Sequence, residues 1–101
     1  MKHPTFDADG YPTEETLQAI RDWKGEGGFA ALFAFIREAW YYPDYWTTEG
    51  MEHHASTGGW SGNEDLIGAL QANCVAWSLC WWSSQRGGRY VFRIPELEVK
   101  P

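Results

Sequence analysis

Nineteen consecutive residues, Leu66 to Ser84, carry no charge, and the fold must bury them or sink them in a membrane. Just upstream, Ser61 stands three residues before Glu64, with Asp65 beside it. A hydroxyl and a carboxylate at that spacing can cap a helix start reciprocally, and acids suit the positive first turn. Ile67, Leu70, Cys74, Trp77 and Trp81 then recur at intervals of three and four, a continuous apolar stripe down one side of a helix. Val75, Leu79 and Trp82 cover another side. The spacing therefore predicts one helix over 61–84, encircled in its second half. A run of this length would nearly cross a bilayer core of about 30 Å. Gln71 and Asn73 in its middle, and Gly68, Ser78, Ser83 and Ser84 diluting it, favour the central helix of a small soluble core instead.

The remaining chain reads as shorter pieces. Residues 1–12 form an irregular arm, punctuated by Pro4, Gly10 and Pro12. Asp7, Asp9 and Gly10 resemble part of a calcium loop, but Thr5 and Thr16 then occupy positions where carboxylates are needed. Thr13 precedes Glu14 and Glu15 and starts a first helix, with Leu17, Ile20 and Trp23 on one face and Gly25 as its end. Gly27 and Gly28 make a joint. A second helix runs from Phe29 to about Tyr42, stopped by Pro43. Its apolar residues reach most of the way round, which predicts burial between elements or against a second subunit. Tyr41 to Trp46 is an aromatic knot, and residues 50–57 suggest an edge strand. Arg86, Gly87 and Gly88 make a turn into a strand at 89–94, where Tyr90, Phe92 and Ile94 alternate with Val91 and Arg93. Residues 96–101 read as a loose tail.

With 101 residues the chain has room for one domain, 1–101. Only 18 of those residues are Leu, Ile, Val or Phe, and seven Trp with five Tyr supply the missing apolar area. The expected fold class is α+β: a mainly helical domain of about three helices around the 61–84 helix, with a small antiparallel sheet including 89–94. A net charge of −6 argues against direct binding of nucleic acid. The charge is uneven, however. Residues 1–65 sum to −8, whereas 66–95 hold Arg86, Arg89 and Arg93 and no acid. No signal peptide opens the chain, so a cytoplasmic protein is expected. Cys74 and Cys80, six apart on one helix, lie about 9 Å from each other, too far for a bridge. Two reduced, buried thiols follow.

Two loops could hold a ligand. Thr57-Gly58-Gly59-Trp60-Ser61-Gly62-Asn63-Glu64 leads into a helix N-terminus, where unpaired N–H groups and glycines permit close approach. It lacks the lysine of a nucleoside-triphosphate loop and the dinucleotide fingerprint. In the second, Arg86 and Arg89 flank a glycine pair and could grip a phosphate or carboxylate, with Tyr90 or a tryptophan stacking a base. A 30 Å helix between the loops would keep them apart within one chain. His53 and His54 face opposite ways on a strand and find no further ligands at zinc-like spacing, so no metal is assigned. No catalytic residue and no cofactor are assigned either. Trp23, Trp40, Trp77 and Trp81 fall on apolar stripes and read as core. Trp46 and Trp60 fall in loops and are the aromatic candidates for a surface.

Several of these runs resemble a family of short uncharacterised proteins from tailed phages and prophages. They are Gly10-Tyr11-Pro12-Thr13-Glu14-Glu15-Thr16-Leu17, Asp44-Tyr45-Trp46, Ser56 through Glu64, and Trp82 through Tyr90. The likeness spans about residues 6–94. It implies a phage-encoded protein acting in a bacterial cytoplasm and carries over no catalytic role. Small accessory proteins of this kind often counter host defence, by sequestering a nucleotide signal or by plugging a defence complex.

The expected function is non-enzymatic binding of a phosphate-bearing nucleotide. Arg86 and Arg89 would hold the anion, Trp60 or Tyr90 would stack the base, and Ser61 and Asn63 would supply polar specificity. The alternative is a protein–protein inhibitor of a bacterial defence complex, using an acidic and aromatic surface formed by Tyr41, Tyr42, Asp44, Tyr45 and Trp46; an enzyme of unknown class is the third. A homodimer is expected from the all-round apolar second helix and the buried half of the third.

Overall fold

The computed structural model describes residues 3–24 and 27–95. The first helix ends at Arg21 with Asp22 as its cap, before the Gly25 expected to end it; Gly25 and the tail at 96–101 lie outside the described residues. The elements follow the order α1 (Glu14–Arg21), α2 (Gly28–Ala39), a 3-10 turn (Pro43–Tyr45), β1 (Trp46–Glu49), β2 (Glu52–Ser56), α3 (Ser61–Ala72), α4 (Cys74–Cys80), β3 (Trp81–Gln85) and β4 (Arg89–Arg93). The class is α+β, with a four-stranded antiparallel sheet in the order β1-β2-β4-β3.

Thr13 caps α1 through its hydroxyl, which accepts from the Thr16 N–H. The arm before it is not structureless. Asp7 Oδ1 accepts from the N–H groups of Asp9 and Tyr11, an Asx turn, and Phe6 bridges to Pro12. Helix α2 ends at Ala39, three residues earlier than the proline predicts, and Trp40 is already extended. Its apolar girdle is covered by its own chain. Phe33 lies over the sheet centre, with ring centroids 5.2 Å from His53 and 5.1 Å from Phe92. No second subunit is needed to bury α2, which removes that ground for a dimer.

The single helix expected over 61–84 does not exist. It breaks at Asn73, whose φ and ψ of −87° and 89° are not helical. The break is held by one carboxamide doing two jobs. Its Oδ1 accepts from the Ala76 N–H and caps α4 (3.2 Å). Its Nδ2 donates to the carbonyls of Ile20 (2.9 Å) and Trp23 (3.0 Å), at and just beyond the end of α1. After only seven residues of α4 the chain enters β3, so Trp81 and Trp82 sit on a strand and are exposed rather than core. Cys74 is exposed too, and only Cys80 is the buried thiol expected.

The hairpin of β1 and β2 replaces the lone edge strand and takes Trp46 from the aromatic knot, in which Tyr41, Tyr42 and Tyr45 keep their ring contacts. Gly50 opens its two-residue loop at φ 61°, as the tightest hairpins demand. β2 is interior, bonded to both β1 and β4. Its alternation is legible once His53 is allowed inside beside Ala55, with Glu52, His54 and Ser56 outward. Among the described residues no helix is long and apolar enough to cross a membrane.

Candidate functional site

Antiparallel pairing brings four strand ends together. Trp46 opens β1 opposite Ala55, Ser56 closes β2 opposite Arg89, and Gln85 closes β3 opposite Arg89. The 3-10 turn, the 57–60 loop and the 86–88 turn therefore share one end of the sheet, each strand about 5 Å from the next. The two loops that an unbroken helix would have separated are in contact. Thr57 N–H donates to the Gly88 carbonyl (3.0 Å). Gly88, at φ 81°, leaves no room for a Cβ against Thr57 Oγ1. Bends at Asn73 and Trp81 produce this meeting.

Asn63 ties the loop to the tyrosine segment. It is fully buried, and its Oδ1 accepts from the Tyr41 N–H (2.9 Å). Its Nδ2 donates to the carbonyls of Tyr41 (3.0 Å) and Thr57 (3.2 Å). Both amide hydrogens are used, so Asn63 positions the site and does not meet a ligand. Ser61 does not form the expected capping box. Its hydroxyl donates to Tyr11 Oη (3.1 Å), and no side chain caps α3.

A row of rings runs along this end. Tyr11 lies 4.8 Å from Trp60, Trp60 stacks on Tyr41 at 4.5 Å, Tyr41 meets Tyr42 edge-on at 4.5 Å, and Tyr42 lies 5.2 Å from Tyr45. Tyr41, Tyr42 and Tyr45 are 43–46% exposed. Two glycines make the packing possible. A Cβ on Gly58 would lie 2.6 Å from the Tyr45 ring, and one on Gly62 would overlap Trp60. Tyr42 is the one described non-glycine residue at positive φ, 63°. That conformation costs about 1–2 kcal/mol, and the ring it carries lies between those of Tyr41 and Tyr45; Asp44 is exposed as well.

The other expected site residues divide. Arg86 and Arg89 are exposed, and among the described residues no carboxylate pairs with either. Tyr90 is half-buried on the inner side of β4, beside Trp77 and Phe92. Trp46 is core at 2% exposure rather than surface. Its Nε1 donates to His53 Nδ1 (3.1 Å), and the Thr48 hydroxyl lies at the same distance from that nitrogen. Burial, then the charges of Arg37 and His54, lower the His53 pKa to about 4, so the ring is neutral at pH 7. On the opposite face His54 and Arg93 both bond Glu52. Among the described residues no three His, Cys, Asp or Glu are placed to hold a metal ion. Neither Ser61 nor Cys74 is bonded to a histidine, and the Thr48 hydroxyl beside His53 also accepts from Arg37.

Tyr11 was missed as part of the site, whereas Thr57 and Gly58 belong to the loop expected to hold a ligand and instead pack against Gly88 and Tyr45. The Gly58-Gly59 pair was the available signal, since two left-handed residues before a helix mark a loop that something packs against. Three open grooves of about 380–650 Å³ lie elsewhere, and none of the three is lined by Trp60, Arg86 or Arg89. The end face is thus a ridge of rings beside two arginines. No protein family, curated protein or solved structure matches the chain.

Proposed function

We propose that the protein is a non-enzymatic binding module that engages a protein partner through the ring row of Tyr11, Trp60, Tyr41, Tyr42 and Tyr45. Arg86 and Arg89 flank that row and meet carboxylates of the partner. The observation that carries this reading is the row itself, with Tyr41, Tyr42 and Tyr45 exposed and Tyr11 and Trp60 half-buried, braced by Asn63 and two tightly packed glycines at one end of the sheet. Tyrosine, tryptophan and arginine dominate interface energetics, and rigid rings lose little entropy on binding. Small ligands favour concave sites, and the three grooves lie away from these groups. The resemblance to short phage proteins makes a host bacterial protein, such as a component of a defence complex, the class of partner to test.

The experiment is capture from a bacterial host lysate by the wild-type chain, by Tyr42→Ala/Tyr45→Ala and by Arg86→Ala/Arg89→Ala. A specific partner retained by wild type and lost with the tyrosine pair supports the reading. Equal retention by all three chains refutes it. The nucleotide reading keeps one observation in its favour, the two unpaired arginines beside a glycine loop. Its test is thermal unfolding against mono-, di- and cyclic nucleotides. Saturation a hundredfold above Kd adds about 2.7 kcal/mol, so one nucleotide class should raise the Tm by roughly 10 °C or more. A flat panel removes it.

A further inference from the structure

Where α4 runs into β3, four apolar side chains are exposed: Val75 (62%), Leu79 (55%), Trp81 (42%) and Trp82 (59%). Leu79 joins them, lining one groove with Trp23 and Val75 and another with Trp81 and Trp82. Val75 and Leu79 stand one turn apart on α4 and share a face. β3 is also the last strand of the sheet, and among the described residues it bonds to β4 alone. Its outer edge therefore offers unpaired N–H and C=O groups. Sheet edges are usually guarded by charge or proline, and Trp81–Gln85 has neither. The opposite edge, β1, carries Glu49 and is reached by Arg37, which donates to Thr48 Oγ1. The bulge at Trp82 bends only the start of β3, leaving Ser83–Gln85 in regular register.

We propose that this face is a homodimer interface, in which the β3 strands of two copies pair antiparallel across a twofold axis. Val75, Leu79 and Trp82 of each copy close over the join. Charge points to a second copy as the occupant. The chain carries −6 overall, yet no acid or base occurs from Leu66 to Gln85. Two copies can therefore pair their β3 strands without like charges meeting along them; Arg21, Asp22 and Lys24 line the groove beside Val75 and Leu79, and Arg93 lines the one beside Trp82. Identical strands run antiparallel are self-complementary, since each N–H faced by a C=O is repeated by symmetry. Taking about 250 Å² for a full tryptophan, the two indoles alone leave roughly 250 Å² exposed per copy. That is near a third of the about 800 Å² each partner contributes to a stable interface. Val75, Leu79 and the strand edge add to it. Arg93, 4.4 Å over the Trp82 ring and paired with Glu52, stays at the rim.

Sedimentation equilibrium of the full chain tests the proposal, at roughly 100 μM, a hundredfold above a micromolar Kd. The expected mass is twice 11.6 kDa. Leu79→Lys/Trp82→Lys should return the single-chain mass with unchanged circular dichroism, because both side chains are exposed. Amide exchange across Trp81–Gln85 in the wild type should slow as concentration rises. If the double variant loses its fold, that concentration dependence decides alone. A single-chain mass for the wild type overturns the proposal, and β3 amides protected at every concentration would then mean that the chain covers its own edge. A dimer that survives the lysines but dissociates with Tyr42→Ala/Tyr45→Ala overturns it as well.

Discussion

Replacing Asn63 by alanine should damage both the fold and the end face, because one carboxamide joins three segments. The variant loses the bond from Tyr41 N–H and the two donated to Tyr41 and Thr57 carbonyls. Each bond is worth about 0.5–1.5 kcal/mol net, and a buried backbone group left unpaired costs about 1–3 kcal/mol. Water can reach the Tyr41 side of the site, whereas the Thr57 contact is buried. The loss should therefore come to about 2–4 kcal/mol, lowering the Tm by roughly 10–25 °C. Urea unfolding followed by tryptophan fluorescence measures it, with an unchanged m-value showing that the denatured state is not the cause. A destabilisation below about 0.5 kcal/mol, the range of neutral surface changes, would refute the bracing role given to Asn63.

Gly87 and Gly88 both have positive φ, but only Gly88 has Thr57 against it. Gly88→Ala should cost about 1–2 kcal/mol more than Gly87→Ala in the same urea assay, since each pays the left-handed penalty and one adds overlap; equal costs would break the contact between the loops. His53 binds its proton in the unfolded chain near pH 6.5 but in the folded one only near 4. The stability this confers is complete above pH 6.5 and is lost as pH falls toward 4, by about 2 kcal/mol between pH 7 and 5. Proton NMR should show the folded His53 ring still neutral at pH 5, and titration near 6.5 contradicts its burial. Finally, a thiol reagent should modify Cys74 in the native protein and Cys80 only after unfolding, by mass spectrometry; two fast equivalents would contradict the packing of Cys80.

Local chemistry made several elements readable from residues alone. Thr13 caps α1, Glu14 and Glu15 fill its first turn, and the 89–94 alternation is β4. What failed was a period that looks the same across a break. Ile67, Leu70, Cys74, Trp77 and Trp81 keep helical spacing through Asn73, yet the asparagine ends one helix and caps the next. Asparagine is among the strongest N-caps, but its amide hydrogens are spent on Ile20 and Trp23, some fifty residues away, and no local pattern shows that. Trp81 and Trp82 fit a helix stripe equally well as a strand. The candidate loops were legible through their glycines and arginines. Their meeting was not, because it depends on that break. Trp46 was misplaced because β1 had not been recognised, whereas the inward side of Tyr90 was already legible in its alternation with Phe92 and Ile94.

The end face exists only because the chain folds back between α3 and β3 so that the two loops touch. Nuclear Overhauser contacts between Thr57 and Gly88 test this most directly, since these residues share a main-chain hydrogen bond. Strong contacts from the Thr57 methyl and amide to Gly88, with cross-strand contacts from Ser83 to Val91, are the predicted result. Helical contacts running unbroken from 61 to 84 would contradict it, because such a helix sets its two ends about 35 Å apart.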